Sequence, residues 1–405
     1  MTVTLKAPGS KSITQRALML AALGERPARV RGALACDDSA RLTDLLRAIG
    51  TRVEWDADQV LVTPGPLAAG GAPVWCGNAG TAVRFGAALS LVARGTITLD
   101  GDARMRERPL NPLGEALESL GVGVRWLRRA GFPPVALTGG GAIRGEVDID
   151  SSLSSQFASG LLMVAPRLPA GLRIRLVGRV VSEPYLDMTA RMMASAGAAA
   201  DRPDGRTFVV RPGRYAWAGD AVVVEPDWSG AALLFAAGRA AGVEVALPGL
   251  PPPGESLQGD SRFAGMLAEL DLPRPHAFDL ADCPDLLPPL AASALLASHA
   301  TRIDGAAHTR IKESDRIAVL VRGFRALGAR IVEHTDGMEV LPLADRIPRN
   351  VALDPAGDHR MAMAFAAVSL AIPGVSVQDP GCVAKSFPAF WDAIDAIRAA
   401  ADGPG

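Results

Sequence analysis

Apolar and polar positions follow one arrangement that returns along the whole chain. A polar, turn-like cluster opens an Ala/Leu-rich apolar run, and this happens six times. The openings are Gly9-Ser10-Lys11-Ser12, Gly77-Asn78-Ala79-Gly80-Thr81, Ser154-Ser155-Gln156, Asp227-Trp228-Ser229, Pro284-Asp285 and Asp358-His359-Arg360. They recur roughly every 60–75 residues, which is too long for a solenoid repeat and suits a small α/β module. The first run predicts a helix from Ile13 to about Leu23, after a turn at Pro8-Gly9 and a cap from Ser10 or Ser12. Between openings lies a second helix, often ending in a Leu-Gly-type stop and a short strand. Examples are Ala40–Gly50 into Thr51–Trp55, Pro109–Gly121 into Val122–Leu127, and Asp315–Gly328 into Ala329–Glu333. Short β-rich runs such as Thr96–Leu99, Glu146–Ile149 and Leu172–Val177 complete each unit.

Each unit therefore reads strand-helix-strand-helix-strand-strand. Six units exceed one ordinary core, so two domains of three units each are expected. The segment Asp271–Asp282 is too short for a full hairpin and reads as a trimmed fourth unit. Helices stacked in parallel would turn many N-termini one way, and their free N–H groups and dipoles would form an anion-binding floor.

Composition narrows the function classes. The chain has 405 residues, 49% of them hydrophobic, with a formal net charge of −1. That balance gives no global attraction to nucleic acid or a membrane surface, so neither is an expected partner. The four cysteines are dispersed without a C-x-x-C pair and the five histidines lack H-x-x-x-H spacing. No disulfide framework, metal site or cofactor is expected. Met1–Gly9 lacks a signal-peptide core and no long apolar run occurs, which reads as a cytoplasmic chain. The chain reads as a monomer.

Charge gathers where helices start. Lys11 and Arg16 open the first unit, and Arg104–Pro109 follows in the second. Lys312-Glu313-Ser314-Asp315-Arg316 and His359-Arg360 come later, then Lys385. A cation in a first helical turn opposes the dipole, so its repetition there points to small phosphorylated or carboxylated ligands. Blander readings exist for single residues. Lys11 and Arg16 suit a solvated helix start, Glu313 and Asp315 a helix cap, Asp285 a turn, Tyr185 a core position, and His359 a structural support for Arg360. The Gly-Ser-Lys-Ser stretch lacks P-loop spacing, and Gly139-Gly140-Gly141 with Gly145 misses the dinucleotide fingerprint.

Taken together, Pro8–Ser12 with Arg16, Gly77–Thr81, Arg104–Pro109, Leu153–Phe157, Lys312–Arg316 and Asp358–Met363 resemble the motif set of the 5-enolpyruvylshikimate-3-phosphate synthase family. The resemblance runs in order through essentially the whole chain. It implies a two-domain enolpyruvyl transferase fold, each domain built of three βαβαββ units with parallel helices and substrates in the cleft between. The implied domains are 10–222, and 1–9 with 223–405. The cleft would close on substrate, so shikimate-3-phosphate alone would compact the protein. The implied reaction moves the enolpyruvyl group of phosphoenolpyruvate to the 5-hydroxyl of shikimate-3-phosphate and releases phosphate. It needs an acid, a base and many cations, and no metal.

Residue roles follow from the same resemblance. Lys11, Asp285 and Glu313 would be catalytic, with Asp285 accepting the 5-hydroxyl proton and Glu313 and Lys11 sharing proton transfer at the methylene carbon. Lys11 would also touch both substrates. Ser12 and Arg16 would hold the shikimate hydroxyls and carboxylate, Ser154, Ser155 and Ser182 its phosphate, and Tyr185 its ring. Gln156 would lie between the ligands, and Lys312 beside the shikimate phosphate. Asn78, Gly80, Arg108, Arg316, His359, Arg360 and Lys385 would hold phosphoenolpyruvate, Arg108 and Lys385 at its phosphate, Arg316 and Arg360 at its carboxylate. A glycine at position 80 leaves room for the inhibitor glyphosate in this family, which implies a glyphosate target.

Two positions depart from the pattern. Phe85 follows Arg84 where members often carry proline, and His308 stands where some place an asparagine against the shikimate phosphate. Two other functions compete. The sister enolpyruvyl transferase for UDP-N-acetylglucosamine has Lys-Asn in place of Lys11-Ser12, and commonly a loop cysteine that Arg104–Pro109 lacks. A non-catalytic binder of phosphorylated metabolites would not need both acid and base.

Overall fold

The computed structural model describes residues 1–141, 143–217, 219, 221–343 and 350–403. The chain divides into two compact units, Gly9–Glu225, and Met1–Pro8 with Pro226–Gly405. The crossings thus fall at Pro8/Gly9 and Glu225/Pro226. The cause is a strand: Ala221–Val223 pairs in parallel with Ala28–Arg31, and Val224 N donates to the Arg31 carbonyl at 2.9 Å. That pairing holds the returning chain in the first unit until Glu225.

Among the described residues of the Gly9–Glu225 unit, three four-stranded sheets share one plan. In the second, Ala68–Trp75 runs parallel to Arg94–Asp100, which is antiparallel to Val135–Thr138, which is antiparallel to Gly123–Trp126. In the third, Glu146–Asp150 is parallel to Leu172–Val177, followed by the antiparallel strands Thr207–Val210 and Ala200–Asp204. The first sheet repeats this order with Ala221–Val223, Ala28–Arg31, Gln59–Thr63 and Arg52–Asp56.

The parallel pairs explain the helices. A parallel pair needs a crossover, and a crossover helix covered on all sides becomes apolar all round. Every residue of the helix Gly80–Leu89 is buried, as are Phe157–Val164 in Gln156–Val164 and Ile13–Ala22 in Lys11–Ala22. Gly160 lets Gln156–Val164 meet Gly80–Leu89: a Cβ there would lie 3.0 Å from Ala88 Cβ and 3.4 Å from the Arg84 carbonyl. The alternate helices Asp37–Ala48, Asn111–Leu120 and Pro184–Ser195 keep an exposed face.

The other unit repeats the alternation. Trp228–Ala241, Leu287–Leu295 and His359–Ala371 form its buried centre, packed against Phe263, Phe324 and Phe390. Its strands are trimmed. Among the described residues, one sheet has four strands, His276–Asp279, Thr301–Asp304, Gly337–Val340 and Ile331–His334. Two sheets have only a parallel pair, Thr2–Thr4 with Glu244–Ala246, and Val351–Leu353 with Val375–Val377. The helix Phe263–Leu270 leads directly to His276–Asp279, a strand of the next sheet, so the fourth repeat lacks its hairpin.

Candidate functional site

Helix starts carry the candidate residues in both units. In the Gly9–Glu225 unit the first buried helix begins at Lys11, with Ser10 at the cap position. The capping expectation needs correction: neither serine caps. The Ser10 carbonyl accepts from Thr14 N at 2.8 Å, but its buried Oγ has no partner among the described residues, and Ser12 lies inside the helix. Lys11 Nζ reaches Asp38 Oδ2 at 2.8 Å. Asp38 stands in the first turn of Asp37–Ala48, where a helix favours a carboxylate.

One turn on, Arg16 is 2% exposed. Its Nε donates to Thr189 Oγ1 at 2.7 Å and its Nη1 to the Ser12 carbonyl at 3.0 Å. Its Nη2 reaches Ser159 Oγ and the Tyr185 carbonyl, each at 3.3 Å. The guanidinium carbon lies 5.6 Å from the Phe85 ring centre and 5.8 Å from that of Tyr185. None of these partners is anionic. Burial accordingly pulls the Arg16 pKa down to about 10.

The second buried helix starts at Gly80, and Arg108 lies against it. Arg108 Nη1 donates to the Asn78 carbonyl at 3.1 Å and to Asn78 Oδ1 at 3.0 Å. A Cβ on Gly80 would come within 2.6 Å of Arg108 Nη2, so a glycine is what allows this guanidinium to sit at the helix start. At the third helix, Ser155 occupies the cap position, Ser154 Oγ accepts from Gln156 N at 3.2 Å, and Gln156 Oε1 accepts from Arg84 Nη1 at 2.7 Å. Ser182 is buried with φ +56°, a left-handed conformation that costs a serine about 1–3 kcal/mol and tends to mark functional backbone.

The Pro226–Gly405 unit concentrates charge around Asp285, in the 3-10 turn Pro284–Leu286. Its Oδ1 accepts from Lys312 Nζ and from Arg316 Nη1, each at 2.8 Å, and its Oδ2 from Arg360 Nη2 at 3.0 Å. Burial alone would raise its pKa, but Arg360, Lys312 and Arg316 together hold the carboxyl well below the usual carboxylate range. Burial pushes the Lys312 ammonium down, against the pull of Asp285.

Arg316 is the hub, at 1% exposure. Besides Asp285, its Nε donates to Asp358 Oδ2 at 2.8 Å and its Nη2 to Glu313 Oε2 at 3.0 Å. Burial would depress its pKa, yet Asp358, Glu313 and Asp285 outweigh it and raise it. Asp358 also caps its helix by accepting from Arg360 N at 3.0 Å. Asp315 caps the helix Arg316–Ala326 through Ala318 N, while Glu313 turns to Arg316 instead of capping. His359 is fully buried, its Nδ1 3.6 Å from Asp358 Oδ1. His308 is buried in the 3-10 helix Ala307–Ile311, and Lys385 ends the partly exposed turn Pro380–Lys385.

The family model for EPSP synthase (3-phosphoshikimate 1-carboxyvinyltransferase) matches residues 1–273 and 269–394. The chain belongs to the EPSP synthase family. A 3-phosphoshikimate 1-carboxyvinyltransferase of Syntrophobacter fumaroxidans is 38% identical, over 97% of this chain and 96% of its own length. One from Methanoculleus marisnigri is 37% identical over 96% and 95%. The solved EPSP synthase of Acinetobacter baumannii shares the fold, with TM-score 0.77 and 23% identity over 97% of this chain and 95% of that one.

Several residues that this EPSP synthase-family chain places around its cations escaped the sequence reading. Asp38 is one, and Asp358, read only as the first residue of a motif and given no role, is another; each is buried against a basic candidate. Asp358 had a signal, since an acidic residue directly before an apolar helix invites a cap. Asp38 had none beyond its place in a first turn. Asp260, in the turn Gly259–Arg262, is a third: Ser229 Oγ donates to its Oδ2, and burial and nearby Asp285 push its pKa up to about 6. Among the described residues, no group of three or more His, Cys, Asp and Glu is arranged to hold a metal ion, and no helix is long and apolar enough to cross a membrane.

Proposed function

We infer that this enzyme transfers the enolpyruvyl group of phosphoenolpyruvate to the 5-hydroxyl of shikimate-3-phosphate and releases phosphate, the reaction for which its relatives are named. The observation that carries the site assignment is Asp285, a carboxylate gripped by Lys312, Arg316 and Arg360. In the proposed mechanism the substrate anions compete for those cations. The phosphoenolpyruvate carboxylate takes Arg360 with Arg316, and the shikimate phosphate takes Lys312. Asp285 then loses the charges that depress its basicity and becomes able to accept the 5-hydroxyl proton.

The freed alkoxide oxygen bonds to the central carbon of phosphoenolpyruvate while Glu313, sharing the role with Lys11, protonates the methylene carbon. A tetrahedral intermediate results. Breaking the carbon–oxygen bond to phosphate, with the Asp285 proton passing to the leaving phosphate, and returning a methyl proton to Glu313 restores the double bond on the new ether. Arg108, Asn78 and Lys385 hold the departing phosphate, with Gly80 keeping space beside Arg108. Arg16, Ser12 and Tyr185 hold the shikimate ring, Ser154, Ser155 and Ser182 with His308 its phosphate, and Gln156 touches both ligands. His359 acts through Asp358. We read the enzyme as a cytoplasmic monomer that needs no cofactor, a reading supported by its near-neutral charge and dispersed cysteines.

The test is phosphate release from phosphoenolpyruvate with either shikimate-3-phosphate or UDP-N-acetylglucosamine as acceptor. Release with shikimate-3-phosphate alone, lost in Asp285→Ala and Glu313→Ala, is the expected result. Release with the nucleotide sugar alone would transfer the chain to the sister reaction, and binding without release would leave a phosphometabolite binder.

A further inference from the structure

Arg16 and Arg316 are both buried arginines, yet they are held in opposite ways. Three carboxylates surround Arg316. Among the described residues Arg16 meets only hydroxyls, carbonyls and two aromatic rings. A buried cation without an anionic partner is costly, and the fold carries this one where three helices meet. Thr189 comes from the helix Pro184–Ser195, Ser159 from Gln156–Val164, and both are 0% exposed.

The hydroxyl bookkeeping is specific. Thr189 Oγ1 accepts from Arg16 Nε at 2.7 Å and spends its single hydrogen on the Tyr185 carbonyl at the same distance. Ser159 Oγ stands 3.1 Å from Thr189 Oγ1 and accepts from Arg16 Nη2. Nε and Nη2 are thereby engaged, and Nη1 keeps one hydrogen with no partner among the described residues. The guanidinium is fixed in orientation while its charge stays uncompensated.

We propose that Thr189 and Ser159 are the positioning residues of Arg16, neutral hydroxyls that aim the guanidinium and reserve its charge for the carboxylate of the acceptor substrate. The proposal rests on the functional reading above, in which Arg16 meets that carboxylate. A carboxylate at either hydroxyl position would orient Arg16 as well but would neutralise it. A purely apolar residue would leave Nε–H buried without an acceptor, and the guanidinium would tilt to find one.

Steady-state kinetics with each substrate varied in turn, on purified full-length enzyme, test this. Thr189→Val is expected to raise KM for shikimate-3-phosphate by roughly ten-fold or more, with a much smaller change in kcat and in KM for phosphoenolpyruvate. Thr189→Ser, which keeps the oxygen, is expected to restore it. Thr189→Asp is expected to weaken acceptor binding beyond Thr189→Val. An acceptor whose ring carboxylate has been reduced to an alcohol should lose the difference between wild type and Thr189→Val. If Thr189→Val does not fold, Ser159→Ala is measured in the same way. Wild-type turnover of shikimate-3-phosphate with no acceptor KM change in any of these variants would overturn the proposal. So would an effect that persists undiminished with the reduced acceptor. A wild type that turns over no shikimate-3-phosphate would instead overturn the functional reading beneath it.

Discussion

Arg316 and Asp358 form an ion pair that is closed to solvent: Nε to Oδ2 is 2.8 Å, with side-chain exposures of 1% and 0%. The same carboxylate caps the helix His359–Ala371 and accepts from Ser314 Oγ at 3.1 Å. One acid therefore holds a candidate ligand-binding arginine and starts the helix that carries Arg360. Removing it should take one of three carboxylates from a buried cation and leave the helix uncapped. Asp358→Ala is expected to lower unfolding free energy by about 3–5 kcal/mol, the typical cost of breaking a buried pair. Asp358→Asn, which retains a cap acceptor, should lose less. Urea unfolding measures both, and equal losses would argue that the cap contributes nothing.

Gly80 and Arg108 make a prediction of the opposite kind. Alanine at position 80 would push against the far end of a flexible side chain, 2.6 Å from Nη2 and 2.9 Å from Cζ. Stability should change by less than about 1 kcal/mol, since no backbone atom is displaced. The guanidinium must move, so KM for phosphoenolpyruvate and the inhibition constant for glyphosate should both rise at least several-fold. Unchanged kinetics in a folded Gly80→Ala would place phosphoenolpyruvate elsewhere.

Lys312 bears on Asp285, the proposed base. Asp285 is held ionised by three cations, so deleting one should raise its pKa. Activity that needs ionised Asp285 is lost as pH falls through that pKa. In Lys312→Met the acid limb of kcat/KM is therefore expected to shift to higher pH, alongside weaker acceptor binding. A limb that stays at the wild-type position would remove Asp285 from the role of base.

Asp260 and His276 give stability opposite pH dependences. The Asp260 carboxyl is raised, through burial and then Asp285, with Asp227 adding to it and Ser229 and Arg360 opposing. A carboxyl higher in the folded than the unfolded state stabilises below the unfolded value near 3.9, and that contribution fades as pH rises through about 6. Asp260→Asn, which Ser229 Oγ can still bond, should raise Tm at pH 8 and leave it nearly unchanged at pH 4.

His276 works from the other side. It is 4% exposed, stacked on Phe278, and its two ring nitrogens have no hydrogen-bond partner among the described residues. Burial lowers its pKa, helped by His299, Arg274 and Arg239 and opposed by Glu269. Its contribution is present above the unfolded value near 6.5 and is lost as pH falls below it. His276→Leu should flatten the decline in Tm between pH 7 and 5, and an unaltered decline would point to other groups.

The chain's repeats, its helices and most of the residues at their starts were legible without coordinates. Apolar runs long enough to be covered on all sides announce crossover helices, and the polar clusters before Lys11, Gly80, Gln156 and His359 mark where those helices begin. Such signals are local, because burial period and turn chemistry act over a few residues. Pairing across space is different. Thr189 lies 173 positions from Arg16, Asp358 lies 42 from Arg316, and Ala221–Val223 joins a sheet begun near residue 28. Whether a buried arginine is neutralised or left charged depends on which helix packs beside it, and an isolated threonine or aspartate carries no mark of that neighbour. Fold type and candidate chemistry were set by local pattern. The division of labour among the cations was decided only when helices and sheets brought distant hydroxyls and carboxylates within hydrogen-bond reach.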